Sequence, residues 1–585
     1  MYYNNIYFEN PLLGFFISIF LSIIIVSVCF SNIIIKRKQI YLFSKYQPII
    51  FFFLIFSLIV VGLNFLIILN LDSIINIFLK IFLLSITFYF FYSRFYLKNN
   101  KYDFVRIFEF KKKKLFYLIF SVFFLITLLP ISDADSISIH QLLANYIYLN
   151  GLDNINLYKD VEFLSLSNSE ILLIVSPILK IENFGALLNF LSFFLLSIIV
   201  YKKKNNFLYF LFSCPLIIFL ISTQKLQLFF GILYLILFIL VNENLIKKKL
   251  EIFIFIFLLA FYASAKINYV LFAIPLYLYF LITKKSEIKL ILIYSLFLFL
   301  FVFFPIFLIK YIYFGNPVSP FFDSLFSSGR QLYDSYALSL RSSEGWLLTT
   351  NYKSFLRPFI PTNINQLSSS LGLIFLLLLL NFELQKKTKF FPLLIILLII
   401  STGQILPRYY LEAFLILSFY FFINKYDTLT KLVRNIQFFI VLSFSIIFLY
   451  ISYFDLNVLK DKSKFLKKFS YTYFNSKQYE NISLKGNVLD LNQTRTSIFF
   501  DEKIFSTRYL LNQKLINTDY QTELLNYIDL NKIKYIVSTQ GSNQFPECLN
   551  LEKIGEISKK TTIRNFLVEK EISKSYLYEL NNSNC

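Results

Sequence analysis

Long uncharged runs of apolar residues are the feature that most limits what this chain can fold into. The runs Pro11 to Ile35 and Lys289 to Phe314 contain at most two charged residues each, and at 1.5 Å rise per residue each can cross roughly 30 Å of hydrocarbon. Because 57% of the residues are hydrophobic and only 16% are charged, a soluble core cannot enclose such runs. The sequence therefore predicts a polytopic membrane protein and excludes a soluble enzyme, a disordered chain and a collagen-like fibre.

The formal net charge of +22 does not indicate a nucleic-acid-binding protein. Groove binding requires Lys and Arg clustered on one accessible face, whereas here they form short runs between apolar segments. We therefore expect no nucleic-acid partner. The four cysteines, Cys29, Cys214, Cys548 and Cys585, lack metal-ligand spacing, which excludes a zinc ribbon and a dense disulfide scaffold.

The apolar runs, read in order, predict about fourteen membrane-spanning helices. The chain then divides into an N-terminal region 1–114, a membrane region 115–455 and a C-terminal region 456–585. The predicted spans lie near residues 11–35, 48–70, 74–97, 115–131, 184–201, 207–222, 228–242, 250–265, 267–283, 290–314, 366–382, 390–403, 409–424 and 436–455.

Positive charge alternates between successive connections. Seven basic connections hold 26 Lys or Arg, namely 36–45, 98–114, 202–206, 243–249, 284–289, 385–389 and 425–435. The intervening lysine-poor connections hold 10, although they include the two longest loops, namely 71–73, 132–183, 223–227, 264–266, 310–365 and 403–408. By the positive-inside rule the basic connections are cytoplasmic, and the lysine-poor connections, the N-terminus and the segment after about 456 are external.

The C-terminal region differs from the rest in being rich in charged residues of both signs. Alternating runs such as Ile533 to Ser538 (IKYIVS) predict strands of a small extracytoplasmic α/β domain. Cys548 and Cys585 both fall there, on the oxidising side, so a disulfide and two free thiols are both consistent with the sequence.

Acidic residues follow the fourth predicted span directly. Pro130 ends that span, and Asp133 and Asp135 come just after it, at the external membrane surface. One carboxylate of such a pair can accept a proton from an alcohol while the other supports it or holds a cation. The alternative is structural, because Asp at this position also caps a helix, here one predicted from about Ser136 to Leu149.

Three segments resemble GT-C glycosyltransferases, polytopic enzymes that take sugars from polyprenyl-phosphate carriers, including the protein mannosyltransferases and aminoarabinose transferases. The run 133–151 (DADSISIHQLLANYIYLNG), with 167–179 (SNSEILLIVSPIL), is similar to their first external loop. The stretch 314–320 (FGNPVSP) opens the second long loop, and 406–410 (LPRYY) resembles a late Arg-Tyr at the outer end of a span. The likeness covers roughly 115–455; three extra spans precede it, and the role of residues 1–114 stays open.

The resemblance implies a role for each matching residue. Asp133 would be the catalytic base, Asp135 would support it or bind Mg or Mn, and Glu170 would hold sugar hydroxyls or a metal. Arg408 would contact the donor phosphate, since a guanidinium grips phosphate oxygens in a bidentate fork; its alternative is an ion pair with Glu412 one turn on.

Further candidates for substrate binding lie in the same external connections. Lys266 is a phosphate candidate or a lysine that reaches toward lipid headgroups. His140, the only histidine, is expected to form hydrogen bonds rather than to bind zinc, because no second His or Cys accompanies it. Three arginines beside the only tryptophan, Trp346, can hold carrier phosphate, acceptor or lipid headgroups: Arg330, Arg341 and Arg357.

These observations together predict an inverting glycosyltransferase of a bacterial cytoplasmic membrane. It would transfer a sugar from a polyprenyl-phosphate-linked donor to a lipid, glycan or protein acceptor on the external face. An O-antigen-type polymerase or ligase shares the external arginines and stays an alternative, as does a membrane protein whose tail binds partners. A lipid-linked oligosaccharide transporter is disfavoured, because 13 Gly and 14 Pro are few compared with the average of about 12% for these two residues together.

Overall fold

The protein is described by a computed structural model. It describes residues 6–7, 10–34, 43, 46–69, 71, 74–81, 84–85, 87–88, 114–152, 161–201, 205–319, 323–326, 356, 358–360, 370–380, 386–402, 406–421, 428–480, 484, 486–491, 504–506, 520–538, 545, 548–560 and 572–581.

Helices form most of the described chain before residue 480. Two π-helical turns, Ser136–Gln141 and Phe299–Phe303, directly precede α-helices. The α-helices of the first part are α1 (Pro11–Ile34), α2 (Gln47–Ile68), α3 (Lys114–Thr127), α4 (Leu142–Asn150), α5 (Asn168–Leu173), α6 (Val175–Leu179), α7 (Phe184–Val200), α8 (Asn205–Phe212), α9 (Pro215–Ile221), α10 (Gln227–Asn242), α11 (Lys249–Ala265), α12 (Ile267–Thr283), α13 (Ile288–Leu298) and α14 (Phe304–Phe314).

The second part contains further helices and a sheet. A 3-10 turn, Pro407–Tyr410, precedes one of the helices, and a π-helical turn, Ile451–Asp455, follows another. The remaining elements are α15 (Asp323–Phe326), α16 (Leu373–Leu380), α17 (Lys386–Ser401), α18 (Leu411–Tyr420), α19 (Thr428–Tyr450), α20 (Lys462–Phe469), α21 (Tyr471–Glu480), β1 (Asn487–Asp490), β2 (Ile504–Ser506), α22 (Tyr520–Leu530), β3 (Ile533–Ser538), β4 (Leu551–Lys560) and β5 (Ile572–Leu580).

Among the described residues, four helical segments are long and apolar enough to cross a membrane. They are Pro11–Phe30, Gln47–Ile68, Lys285–Phe314 and Thr428–Asp455. Asn168–Leu179 with Phe184–Val200 would be a fifth, bent by 112° at its break. Exposed apolar side chains on these helices, such as Leu296 at 68% and Phe439 at 70%, are what lipid contact allows. The fold is therefore compatible with a membrane protein.

Other predicted spans are shorter or broken in the structure. The run 207–222 forms two helices, α8 and α9, separated at Ser213 and Cys214. Gln437 of α19 donates from Nε2 to the Ser213 carbonyl at 2.8 Å and lies 3.2 Å from the Leu371 carbonyl. These contacts matter because carbonyls freed by a helix break need a donor when no water is near.

The helical core centres on α10. Every residue of α10 from Gln227 to Val241 is buried, as expected for a helix that is apolar all round. A methyl group placed on Gly231 would lie 3.1 Å from Leu411 and 3.2 Å from Leu415 of α18. Glycine at this position thus lets α10 and α18 pack closely together.

The C-terminal region contains the predicted α/β domain. Its five-stranded sheet has the order β2-β1-β3-β5-β4, with β1 parallel to β2 and β3, and β5 antiparallel to β3 and β4. The predicted strand Ile533 to Ser538 is β3. Phe465 of α20 packs on Phe448 of α19 at 6.2 Å between ring centroids, so α20 shares the core of the helical bundle.

Cysteine oxidation differs between the two regions. Cys29 and Cys214 are buried free thiols of the helical bundle. Cys548 is disulfide-bonded, which fits one of the two states consistent with the sequence. Cys585, its expected partner, lies outside the described residues.

Replacing Gln437 with Leu should destabilise the helical bundle. The Ser213 carbonyl would lose its donor at the α8–α9 break, at a cost of about 1–3 kcal/mol. We expect the thermal unfolding midpoint of the purified full chain, measured in detergent by size-exclusion chromatography, to fall by several degrees. Asn435→Leu is the matched control, because Asn435 is exposed on the same helix; equal shifts for the two variants would contradict the role given to Gln437.

Candidate functional site

Asp133 occupies a fixed position at the start of the helical segment that follows α3. Its Oδ2 atom accepts hydrogen bonds from the Ser136 backbone N–H at 2.9 Å and from the Ser136 hydroxyl at 2.8 Å. The capping role considered from the sequence is thus present. The predicted helix from Ser136 to Leu149 begins as a π-helical turn before continuing as α4.

A buried lysine that the sequence did not single out joins the two aspartates. Lys225 Nζ lies 3.0 Å from Asp133 Oδ2 and 2.9 Å from Asp135 Oδ2, and its side chain is 2% exposed. Lys225 comes from the short connection between α9 and α10, where it is the only charged residue. Its place as the single charge of a lysine-poor connection was the only, and weak, signal in the sequence.

Asn189 of α7 holds the connection that carries Lys225. Its Nδ2 lies 2.7 Å from the Lys225 carbonyl and 2.8 Å from the Leu220 carbonyl, and its Oδ1 accepts from the Phe229 N–H at 2.9 Å. Gln224 N–H donates to the Ser136 hydroxyl at 3.0 Å. Buried amide contacts therefore set the position of the ammonium relative to the carboxylates.

Arg408 faces the same acids rather than Glu412. Its Nη1 atom lies 3.9 Å from Asp135 Oδ2, whereas Glu412 accepts a hydrogen bond from the Tyr262 hydroxyl at 3.2 Å. The alternative Arg408–Glu412 ion pair is thus wrong, because the 3-10 turn over 407–410 directs the two side chains apart. Arg408 Nε is buried without a hydrogen-bond partner among the described residues.

His140 and Glu170 form a second buried pair. His140 Nδ1 lies 3.1 Å from Glu170 Oε1, and the Ser167 hydroxyl lies within hydrogen-bond distance of the other Glu170 oxygen. Burial lowers the pKa of His140 below its usual 6.5, although the hydrogen bond to Glu170 opposes this effect. We infer a neutral imidazole that donates from Nδ1 to Glu170, which leaves the Nε2 lone pair as an acceptor.

Lys266 lies at the hairpin between α11 and α12, as predicted. It is half-buried, and its charge also lowers the pKa of His140. The Ser167 hydroxyl lies within hydrogen-bond distance of the Ala265 carbonyl, and Asn168 donates to the Ser264 hydroxyl at 2.7 Å. The hairpin is therefore fastened to the helix that carries Glu170.

The start of the second long loop is hydrogen-bonded to the first long loop. Gly315, with φ at +72°, ends α14, and the Ser319 hydroxyl donates to the Leu164 carbonyl at 3.0 Å. Buried Lys310 donates to the Ser319 carbonyl. Lys310 was not among the residues predicted for the site. Three predicted binding residues, Arg330, Arg341 and Arg357, lie outside the described residues.

Five lysine-poor connections thus meet at one end of the bundle. Through Asp133 and Asp135, connection 132–183 contacts connections 223–227 and 403–408. Through residues 161–170, it also contacts connections 264–266 and 310–365. The basic connections also meet one another. Lys284 Nζ donates to Asn244 Oδ1 at 2.7 Å, and Arg434 Nη1 donates to Asn206 Oδ1 at 3.3 Å. Within the described residues, members of each set defined by charge thus contact one another.

The described residues do not fit a divalent metal at Asp133 and Asp135. The Lys225 ammonium occupies the position between the two carboxylates that a bridging cation would take. Within the described ranges, no group of three or more His, Cys, Asp or Glu side chains is placed to hold a metal ion. Lys225 supplies, between the two carboxylates, the positive charge that a bound Mg or Mn ion would otherwise supply.

Comparison with known proteins adds no identification. No family model, curated protein or solved structure matches this chain. The resemblance to GT-C glycosyltransferases accordingly rests on the short sequence motifs.

Lys225→Met should strongly destabilise the fold, because it leaves two carboxylates without their shared ammonium. Breaking a buried ion pair on one side costs about 3–5 kcal/mol. Adding Asp135→Asn should restore part of the loss, since one uncompensated charge is removed. Thermal midpoints of the two single variants and the double variant form the test; additive losses would show that Lys225 and Asp135 are not coupled.

Replacing His140 with Gln should remove an acid-sensitive part of the stability. Because the folded-state pKa of His140 is lowered, the unfolded chain binds the proton more tightly, and stability is lost as pH falls through about 6.5. Thermal midpoints measured between pH 7.5 and 5.5 should fall more for the wild type than for His140→Gln. Since the chain has a single histidine, identical pH profiles would contradict the buried neutral imidazole.

Proposed function

We propose that this protein is a membrane glycosyltransferase that uses a polyprenyl-phosphate-linked sugar as donor. The observation that supports it is the group of two carboxylates and two cations at the end of the bundle opposite the basic connections. Lys225 and Arg408 both lie beside Asp135, so one surface can bind phosphate oxygens next to a carboxylate. Glycosyl transfer from a phosphate requires this pair of charges, because the sugar becomes cationic as the phosphate leaves.

In the proposed reaction the acceptor hydroxyl oxygen attacks the anomeric carbon of the sugar. The bond between that carbon and the phosphate oxygen breaks, and the electron pair leaves with the polyprenyl phosphate. The hydroxyl proton passes to Asp133, and the configuration at the anomeric carbon inverts. Arg408 and Lys225 stabilise the charge that develops on the leaving phosphate.

Donor binding would also alter the contacts of Asp133. In the structure Asp133 Oδ2 accepts two hydrogen bonds from Ser136 and contacts the Lys225 ammonium. These contacts stabilise the ionised carboxylate and make it a weak proton acceptor. A donor phosphate competes with the carboxylates for the Lys225 ammonium. We infer that phosphate binding draws Lys225 away and leaves Asp133 able to accept the hydroxyl proton.

The remaining site residues would bind the sugar and the donor. His140 Nε2 can accept a hydrogen bond from a sugar hydroxyl while Nδ1 donates to Glu170. Lys266 carries positive charge on the same side and would assist phosphate binding, as would Arg330, Arg341 and Arg357. The acceptor is a lipid, a glycan or a protein on the external face of a bacterial cytoplasmic membrane that the chain crosses about fourteen times.

Asp133→Asn should abolish transfer and keep the helix cap at Ser136. Asparagine caps a helix as well as aspartate does, so the change removes the base while it keeps the turn at Ser136. We expect loss of at least about a hundredfold in product, the usual lower contribution of a general base. Mass spectrometry of glycolipids and glycans, in cells that express wild type, variant or neither at matched levels, measures it.

The control for this measurement is Asp529→Asn, which changes an exposed carboxylate on α22. Its glycans should match those of the wild type. A sugar mass that depends on the wild-type chain and persists with Asp133→Asn would show that Asp133 is not the base. Identical glycans with and without the chain would overturn the transferase proposal itself.

Arg408→Lys and Arg408→Ala should separate charge from geometry. Lysine keeps the positive charge but loses the planar fork that grips two phosphate oxygens. We expect an intermediate rise in the donor concentration needed for half-maximal transfer with Lys and a larger rise with Ala, measured in proteoliposomes. Equal donor dependence in all three proteins would contradict phosphate binding by Arg408.

A further inference from the structure

A second site lies along α1, the N-terminal helix whose role the sequence left open. An apolar groove of about 460 Å³ opens between α1, α3 and α7, a size that suits a small ligand or part of a larger one. We call it the α1 groove. Representative lining residues, from the three helices in turn, are Ile19, Ile23, Phe120, Phe124, Phe190 and Phe194.

A polar pocket caps the α1 groove at the end nearer Asp133. It is lined by Lys180, Glu182 and Lys462, together with Gly14 and Ser18 of α1. Lys462 Nζ lies 3.2 Å from Glu182 Oε2. Among the described lining residues, two lysines and one glutamate carry one net positive charge, which favours an anionic group.

The pocket and the groove are continuous along the same helices. Ser18 lines the pocket, and Ile19 lines the groove directly below it. The order is the same at α7. Asn183, directly before this helix, lines the pocket, and Phe190 lines the groove. The site is thus positively charged at the membrane surface and apolar below, as an anionic lipid requires.

The length of the α1 groove selects the kind of lipid. From Ile19 to Ser27, α1 rises about 12 Å at 1.5 Å per residue. Half of the roughly 30 Å hydrocarbon layer is about 15 Å, the depth that one acyl chain occupies. The groove therefore matches one chain of a phospholipid in the outer leaflet and is short for a polyprenyl chain.

We propose that the α1 groove binds one acyl chain of an anionic glycerophospholipid, with its phosphate held between Lys180 and Lys462. The bound lipid joins α1 to α3, α7 and the segment before α20. This inference goes beyond the proposed transferase activity, and it gives the N-terminal helix a function of its own.

Photolabelling with a defined lipid tests the proposal. The purified full chain is placed in phosphatidylcholine nanodiscs that contain phosphatidylglycerol with a diazirine on its acyl chain, and labelled peptides are identified by mass spectrometry. We expect labels on α1, α3 or α7 in the wild type. Ser121→Trp, which fills the groove from α3, should reduce them at least about fivefold. Leu118→Trp is the matched control, because Leu118 is exposed on the same helix outside the groove.

Gly14→Leu is a second variant that tests the site independently if Ser121→Trp fails to fold. A side chain at Gly14 would meet no atom within 4 Å at its Cβ, so it enters the pocket without displacing the backbone. The same loss of labelling in this variant supports the site. Equal labelling in wild type, Ser121→Trp and Gly14→Leu, with unchanged thermal midpoints, would overturn it.

The headgroup is tested separately. Lys180→Glu should remove the preference for phosphatidylglycerol over phosphatidylcholine probes, while Lys464→Glu, exposed on α20, should retain it. Displacement of the label by polyprenyl phosphate but not by unlabelled phosphatidylglycerol would show that the occupant is a polyprenyl lipid and overturn the proposal. Because labelling needs no sugar transfer, its outcome is independent of the glycosyltransferase assay.

Discussion

The contact between the Lys225 ammonium and the carboxylates of Asp133 and Asp135 organises one end of this protein. It joins the segment after α3 to the connection between α9 and α10, and Arg408 approaches the same acids from the start of α18. Two negative and two positive charges compensate one another where water is largely excluded. Such a cluster is stable only while it stays complete, and an incoming phosphate offers its cations a competing partner.

A buried charge cluster of this kind needs rigid support, and the chain supplies it with buried amides and hydroxyls. Asn189 fixes the connection that carries Lys225, while Ser167 and Asn168 fasten Glu170 to the α11–α12 hairpin. Each of these side chains satisfies backbone or side-chain groups that would otherwise be unpaired in an apolar setting. The polar residues of the bundle thus hold the lysine-poor connections together, and the apolar residues supply the packing beneath them.

The sequence predicted those features that depend on composition and period. Apolar runs located most helices, charge alternation grouped connections of which several contact one another in the structure, and the strand Ile533 to Ser538 was predicted correctly. Asp133 and Arg408 were found because they flank predicted spans. Lys225 was missed because a single lysine in a short loop resembles any membrane-surface lysine until the fold places it between two acids.

The polar partners at helix breaks could not be predicted in the same way. Pro215 marks the break after Ser213 and Cys214 in the sequence, but the donor to the freed carbonyl, Gln437, comes from a distant helix. The pairing of Arg408 likewise follows from a 3-10 turn that sequence spacing does not reveal. Long-range contacts of this kind decide the local structure after the helices have packed.

The external position of the Asp133–Lys225 cluster is the condition on which the proposed reaction rests, and labelling of introduced cysteines tests it most directly. Asn150→Cys and Ser286→Cys place exposed thiols at opposite ends of the bundle. In intact cells treated with a membrane-impermeant maleimide, we expect labelling of Asn150→Cys above the parent chain. Ser286→Cys should be labelled only after permeabilisation. The reverse pattern would place the cluster in the cytoplasm and contradict transfer from an externally exposed carrier lipid.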